Sequence, residues 1–123
     1  MGYSVTMRKF VILKHECPQT IDHWDLMLEQ SDHLTCWQAP LTPSKWGHSP
    51  ITLTKIFDHR KKYLHFEGEI SNNRGKVSQI DHGEYRYISK STNEWEIELT
   101  GVTLKGTWKI KQMVGHQWEL QKV

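Results

Sequence analysis

The sequence has little of what marks secreted and membrane proteins. It contains only two cysteines, Cys17 and Cys36, and their spacing fits neither a thioredoxin-like pair nor a zinc motif. Two scattered thiols in 123 residues favour a reducing compartment over a disulfide scaffold, although a bond between them stays open. The apolar run at residues 10–13 is too short for a signal peptide, and no run approaches the roughly eighteen residues of a membrane span. We therefore expect a cytoplasmic protein without membrane contacts.

The chain also lacks a strong charge of either sign. It has 16 Lys and Arg against 14 Asp and Glu, which leaves a formal charge of +2. Any contact with nucleic acid must then come from a local patch, because the whole domain has no strongly basic field. The length predicts a single domain over residues 1–123, large enough for a real core, and we expect a monomer.

Short runs of aromatic and β-branched residues, separated by turn signals, are what the chain does have. These residues favour strands, and no segment shows the period of a long amphipathic helix. The pattern predicts an all-β domain, either a barrel or a sandwich, with little or no helix. The predicted strands cover residues 9–14, 23–29, 34–38, 51–59, 63–69, 77–81, 84–89, 94–100, 104–111 and 117–122.

Turn and loop signals join these strands. Residues 39–50 carry three prolines and a glycine and predict a long irregular loop. The tripeptide Asp81-His82-Gly83 predicts a hairpin, since glycine readily takes a positive φ. Trp46 lies in the proline-containing loop, where it either caps a barrel mouth or stacks on a base. The tryptophans expected in the core are Trp24, Trp37, Trp95, Trp108 and Trp118.

A possible metal site involves His15, His23 and Asp25. Side chains alternate along a strand, so His23 and Asp25 share one face of the strand at residues 23–29. Two imidazoles and a carboxylate suit Mn²⁺, Zn²⁺ or Fe²⁺. The alternative is two surface histidines and a hydrogen-bonded aspartate, since eight histidines make chance pairs common. Cys17 lies between the presumed ligands, either near the metal or as a bystander.

A second polar cluster runs from Asp58 to Tyr63. His59 and Tyr63 are the members that could contact a phosphate or exchange a proton near neutral pH. For the three consecutive cations at residues 60–62, a solvated basic turn is the better interpretation. Arg74 is either an exposed turn residue or a guanidinium directed at a phosphate.

Several motifs occur in a fixed order along nearly the whole chain: residues 10–15 (FVILKH), 23–29 (HWDLMLE), 36–40 (CWQAP), 43–44 (PS), 58–59 (DH), Tyr63, 66–68 (FEG), 81–83 (DHG) and 104–108 (LKGTW). Together they resemble the 3′-phosphoesterase domain of bacterial DNA ligase D. The resemblance implies a small closed antiparallel β-barrel of about eight strands. It also implies Mn²⁺ binding and the removal of a 3′-terminal ribonucleotide or 3′-phosphate from DNA. The family's metal ligands fall on His15, His23 and Asp25, and its active-site histidine and tyrosine on His59 and Tyr63.

The chain departs from the family pattern at the phosphate-binding positions. Arginines expected there are replaced by Met27 and Ile51, and neither side chain can grip a phosphate through two nitrogens. A lysine is expected at Leu41 and a glutamate at Phe57. The loop between the two histidines is also longer than usual, and the segment after residues 66–68 is shorter. The replacement cations proposed for substrate phosphate binding are Lys14, Arg60 and Arg74.

The resemblance therefore predicts a divergent, stand-alone, divalent-metal-dependent phosphoesterase that acts on 3′ ends of DNA in repair. The metal is expected to be Mn²⁺, with Zn²⁺ or another transition metal as the alternative. Expected partners are a nucleic-acid 3′ end and DNA ligase or polymerase repair proteins. One alternative is a non-catalytic module that binds a metal or a DNA end, and another is a structural barrel with a vestigial site.

Overall fold

A computed structural model describes residues 6–123, so residues 1–5 of the predicted domain lie outside the described part. The strands are β1 (Arg8–Glu16), β2 (His23–Glu29), β3 (Leu34–Ala39), β4 (Ile51–His59), β5 (Gly68–Glu69), β6 (Lys76–Lys90), β7 (Glu94–Gly101), β8 (Lys105–Val114) and β9 (Gln117–Lys122). Their order in the sheet is β1-β2-β3-β4-β9-β8-β7-β6-β5, with all pairs antiparallel. A further pairing of β1 with β6 closes eight strands into a barrel. This confirms the predicted fold class.

The barrel interior is filled mainly by aromatic and aliphatic side chains from alternate strand positions. Along β7, for example, Trp95, Ile97 and Leu99 are buried, as the alternation of this segment predicts. The rings of Trp37 and Trp95 meet edge to face at 5.2 Å between centroids. Burial of such large rings is the main source of stability for a barrel of this size.

A second apolar cluster covers the outer face of β1, β2 and β3. Phe10 and Ile12 belong to the interior cluster, whereas Val11 and Leu13 belong to this outer one. The apolar run of β1 is therefore continuous because both of its faces are covered. A 3₁₀ helix at Lys61–Leu64 contributes Leu64 to the cover. Polar residues near the ends of these strands consequently lie at the edge of a buried apolar layer.

The strand predicted at residues 63–69 is wrong. The segment is the end of the 3₁₀ helix followed by the two-residue strand β5. Tyr63, Leu64 and Phe66 pack together in the outer cluster. Their burial is therefore determined by packing over the sheet and does not alternate as it would along a strand. Gly68 has a φ of 126°, which interrupts an extended course.

The hairpin predicted at Asp81-His82-Gly83 is also wrong, since β6 runs straight through it. Asp81 is buried, and its carboxylate accepts hydrogen bonds from the backbone N–H groups of His82, Val102, Thr103 and Leu104. Gly83 faces β7 so closely that a Cβ atom would lie 2.1 Å from the carbonyl oxygen of Thr100. Glycine is needed here for close strand approach, not for a turn.

Trp46 is fully buried, although it lies in the long loop. Its indole N–H donates to the carbonyl of Leu41 at 2.7 Å, and the ring belongs to the interior cluster. Stacking of Trp46 on a base is therefore excluded. Within residues 6–123, no helix has the length and apolarity needed to cross a membrane.

Candidate active site

The two histidines of the predicted metal site lie on neighbouring strands. In the pairing of β1 with β2, His15 stands directly opposite His23, and their ring centroids are 4.6 Å apart. Asp25 follows on the same face of β2, opposite Leu13. The outer cluster includes Leu13 but not His15, so the three polar side chains lie where the apolar cover ends.

Distances within this group are short. Asp25 Oδ1 lies 3.3 Å from His23 Nε2, and Asp25 Oδ2 lies 4.0 Å from His15 Nδ1. The other nitrogen of His15, Nε2, donates to the backbone carbonyl of Arg74 at 2.9 Å, since a carbonyl can only accept. In the neutral ring, the lone pair is then on Nδ1, the atom that faces Asp25. The carbonyl thus fixes the tautomer, as outer partners of metal-binding histidines commonly do.

Asp25 is 3% exposed, and its Oδ1 atom is buried without a hydrogen-bond partner. Burial raises the pKa of this carboxyl to about 7. Burial and the nearby His15 lower the pKa of His23. Burial is the main cause of both pKa shifts, because a group removed from water resists becoming charged. A cation placed between these side chains would supply the missing partner.

Two further residues, Gln38 and Cys17, lie close to His23, and only Cys17 was a candidate from the sequence. The amide nitrogen of Gln38 lies 3.2 Å from His23 Nε2, because Gln38 stands opposite Asp25 in β3. The thiol of Cys17 lies 3.9 Å from His23 Nδ1. Ligand atoms of His15, Cys17 and His23 all lie within 4.8 Å of one another, so these three also form a possible metal site. Only the strand register, which sequence does not give, could have identified Gln38.

A cavity of about 410 Å³ adjoins this group on the outer side of the barrel. Its lining includes His15, Asp25, His59 and Tyr63, so the two predicted sites open into one space. His59 Nδ1 donates to the carbonyl of Phe57 at 3.0 Å, which leaves Nε2 with the lone pair in the neutral ring. Burial lowers the pKa of His59, which favours this neutral form.

Two of the three cations predicted to bind phosphate line the same cavity. They are Arg60, just before the 3₁₀ helix, and Arg74, in the turn before β6. The Nε of Arg74 donates to the carbonyl of Ser71 at 2.9 Å. Lys14 does not line the cavity, and its ammonium lies 6.0 Å from the ring centroid of Trp24. This follows from strand alternation, since Lys14 precedes His15 on β1 and faces the other side.

A comparison with known families matches residues 13–112 to the sequence model described as the DNA ligase D 3′-phosphoesterase domain. The chain belongs to this family. The matched segment includes His15, His23 and Asp25 together with the lining of the cavity. No curated protein matches the chain.

The two positions where the resemblance to the 3′-phosphoesterase family predicts arginines lie in apolar surroundings. Met27 is 1% exposed and belongs to the outer apolar cluster, although it borders the cavity. Ile51 is 7% exposed and packs in the barrel interior. Each replacement therefore extends an apolar layer, and neither offers a hydrogen-bond donor to a phosphate.

Proposed function

We propose that this protein is a divalent-metal-dependent phosphoesterase that acts on 3′ ends of DNA, removing a terminal ribonucleotide or phosphate. The observation that supports it best is the convergence of His15, His23 and Asp25 beside a cavity that also contains His59. Family membership supports the same reaction class. The cavity is large enough for a phosphate and part of a nucleoside, given the usual few hundred Å³ of small-ligand pockets.

The residues present fit a divalent cation. Two imidazole nitrogens and a carboxylate oxygen are the mixed ligands that Mn²⁺ and Zn²⁺ accept. Asp25 Oδ1, buried and without a hydrogen-bond partner, is the atom for which a cation gives the clearest account. His15, His23 and Asp25 would hold the metal. When bound, it would act as a Lewis acid toward a phosphoryl oxygen.

The other residues of the cavity have separate roles in the proposal. His59 accepts or returns a proton at Nε2, which suits contact with the scissile phosphate or with the leaving oxygen. Tyr63 meets the His59 ring edge to face at 5.5 Å between centroids and limits its rotation. Arg60 and Arg74 attract the phosphate and take the place of the arginines that Met27 and Ile51 replace.

The proposal predicts that His23→Ala abolishes Mn²⁺-dependent trimming. The substrate is a primer that ends in one ribonucleotide or in a 3′-phosphate, and the product is followed on a gel. We expect a loss of about 100-fold or more, because removal of even an outer partner of a metal ligand costs 10–100-fold. The matched control is His116→Ala, which removes an exposed imidazole from the turn between β8 and β9.

Metal binding is measured separately, by the rise in melting temperature when Mn²⁺ is added. Wild-type protein and His116→Ala should show the rise, and His23→Ala should not. Equal trimming by wild type and His23→Ala, or trimming in excess chelator, would contradict the proposal.

A non-catalytic metal- or DNA-end-binding module is the second candidate. The replacement of two expected arginines by Met27 and Ile51 favours it, since a lost charged hydrogen bond costs about 1.5–3 kcal/mol. Metal-dependent stabilisation together with oligonucleotide binding but without trimming would identify this function.

The ligand set has a test of its own. His23 presents Nε2 to Asp25 and Nδ1 to Cys17, so a single metal cannot use both arrangements at once. A thiolate ligand favours Zn²⁺ over Mn²⁺. If Mn²⁺ uses the Asp25 arrangement, Cys17→Ser leaves Mn²⁺ binding unchanged, whereas Asp25→Asn weakens it.

A further inference from the structure

Phe57 is an unusually exposed aromatic residue beside the candidate site. It lies near the end of β4, borders the cavity and is 76% exposed. One face of its ring rests on His59, with the ring planes 6° apart and the centroids 4.8 Å apart. The high exposure means that the opposite face is open to solvent.

The surroundings of Phe57 combine aromatic rings with cations. Tyr63 follows His59 in an edge-to-face contact, and the ammonium of Lys62 lies 5.4 Å from the Tyr63 centroid. Arg60 lines the same cavity, and its guanidinium has no ion-pair partner among residues 6–123. Aromatic platforms next to cations are the usual surface for unpaired nucleic acid, because every base has a π-face and every nucleotide a phosphate.

We propose that Phe57 stacks on the nucleobase at the 3′ end of the substrate and so determines which ends are bound. This rests on the proposed function, since it places the terminal phosphate beside His59 and the adjoining base against the open face of Phe57. The family resemblance predicts a glutamate at this position, so the aromatic stacking surface of Phe57 is a feature of this chain. Recognition by a ring face tolerates any base but requires that a base be present.

The test compares wild type with Phe57→Leu, which keeps an apolar side chain, and with Phe57→Trp, which keeps a stacking surface. The probe is a single-stranded DNA oligonucleotide with 2-aminopurine at its 3′ end, whose fluorescence falls on stacking. Binding is measured in chelator, so no turnover occurs. A second oligonucleotide of equal length carries an abasic 3′-terminal nucleotide and a fluorescent label at its 5′ end, and its binding is followed by anisotropy.

We expect Phe57→Leu to weaken binding of the base-bearing end about tenfold, which corresponds to 1.4 kcal/mol and lies within the range for one stacked base. Phe57→Trp should restore it, and neither change should alter binding of the abasic end. Met113→Ala, which truncates an exposed apolar side chain on β8, serves as the matched control.

Three results would overturn the proposal. They are a wild-type protein that does not quench 2-aminopurine, equal quenching by wild type and Phe57→Leu, and an equal loss of binding on the base-bearing and abasic ends. The last would mean that Phe57 only positions His59. Absence of trimming by wild type refutes the proposed function instead; the gel assay detects it, whereas these binding measurements do not depend on turnover.

Discussion

Asp25 is the residue whose environment most constrains the chemistry of the site. A carboxyl with an elevated pKa holds its proton where exposed aspartates have lost theirs, so the folded protein binds more protons than the unfolded chain between about pH 4 and 7. The free energy of unfolding therefore falls as pH rises through this window and stays low above it. Burial of this side chain costs stability that a bound cation would offset.

Replacement of Asp25 by Asn tests whether the buried carboxyl makes the free energy of unfolding fall as the pH rises. Because Asn is neutral at every pH, Asp25→Asn should gain stability relative to wild type between pH 5 and pH 8, by on the order of 2 kcal/mol. Urea denaturation in chelator measures the difference. The control is Glu84→Gln, at an exposed carboxylate of β6. A constant difference between Asp25→Asn and wild type across this range would show that Asp25 is ionised throughout.

At the level of single residues, part of the site could be predicted from the sequence. Strand alternation places His23 and Asp25 on one face, and the side chains lie 3.3 Å apart. That His15 stands opposite His23 depends on strand register, which is a tertiary property. The same holds for Gln38. That Lys14 faces away from His15 follows from alternation along β1 and could have been predicted.

Among the elements, β6 shows how a turn signal can be overridden. Asp81 and Gly83 have the composition of a hairpin, yet Gly83 packs closely against β7 and Asp81 binds the turn that follows β7. Burial of Asp81 under four backbone N–H donors and closure of the barrel outweigh that local preference. The structure of residues 61–69 was not predicted for a similar reason, because the path of this segment depends on its packing against the outer cluster.

Gly83→Ala should therefore destabilise the barrel. A methyl group would meet the backbone of Thr100, which cannot move without separating β6 from β7. We expect a loss of about 2 kcal/mol or more in the free energy of unfolding, measured by urea denaturation.

The control for this prediction is Gly47→Ala, where the nearest atom to an added Cβ is a side-chain carbon of Lys122 at an ordinary 3.5 Å. Equal stabilities of Gly83→Ala and Gly47→Ala would mean that the two strands separate easily.

The whole molecule is nearly neutral, with a net charge of +2, so its attraction for DNA depends on a few local cations. If Arg60 and Arg74 each neutralise one phosphate, the logarithm of the binding constant for single-stranded DNA should fall with the logarithm of salt concentration at a slope of about −1.4. Arg60→Gln should reduce the slope by about 0.7.

Fluorescence anisotropy at NaCl concentrations between 50 and 200 mM measures this slope, and a change of about 0.7 corresponds to one phosphate contact. Lys111→Gln, on the exposed side of β8, is the control and should leave the slope unchanged. A slope as steep as −4 would point to a broad electrostatic surface instead of two arginines.

At this scale the strand content and the all-β class could be predicted from the sequence, because they follow from local alternation and turn residues. Closure by the pairing of β1 with β6 could not, since it joins distant segments. Family resemblance supplied the barrel where periodicity left a sandwich open. The outer apolar cluster borders the site, and its main sign in the sequence is the continuous apolar run of β1.

The candidate site lies on the outer side of the barrel, and this position determines how a polymer such as DNA would reach it. The lumen is filled with aromatic and aliphatic side chains and offers no passage, so a polymer does not thread through the barrel. Under the proposed function, a DNA 3′ terminus would reach the site from the side while another protein holds the rest of the duplex. The protein would then act on a break that is already held in a larger assembly.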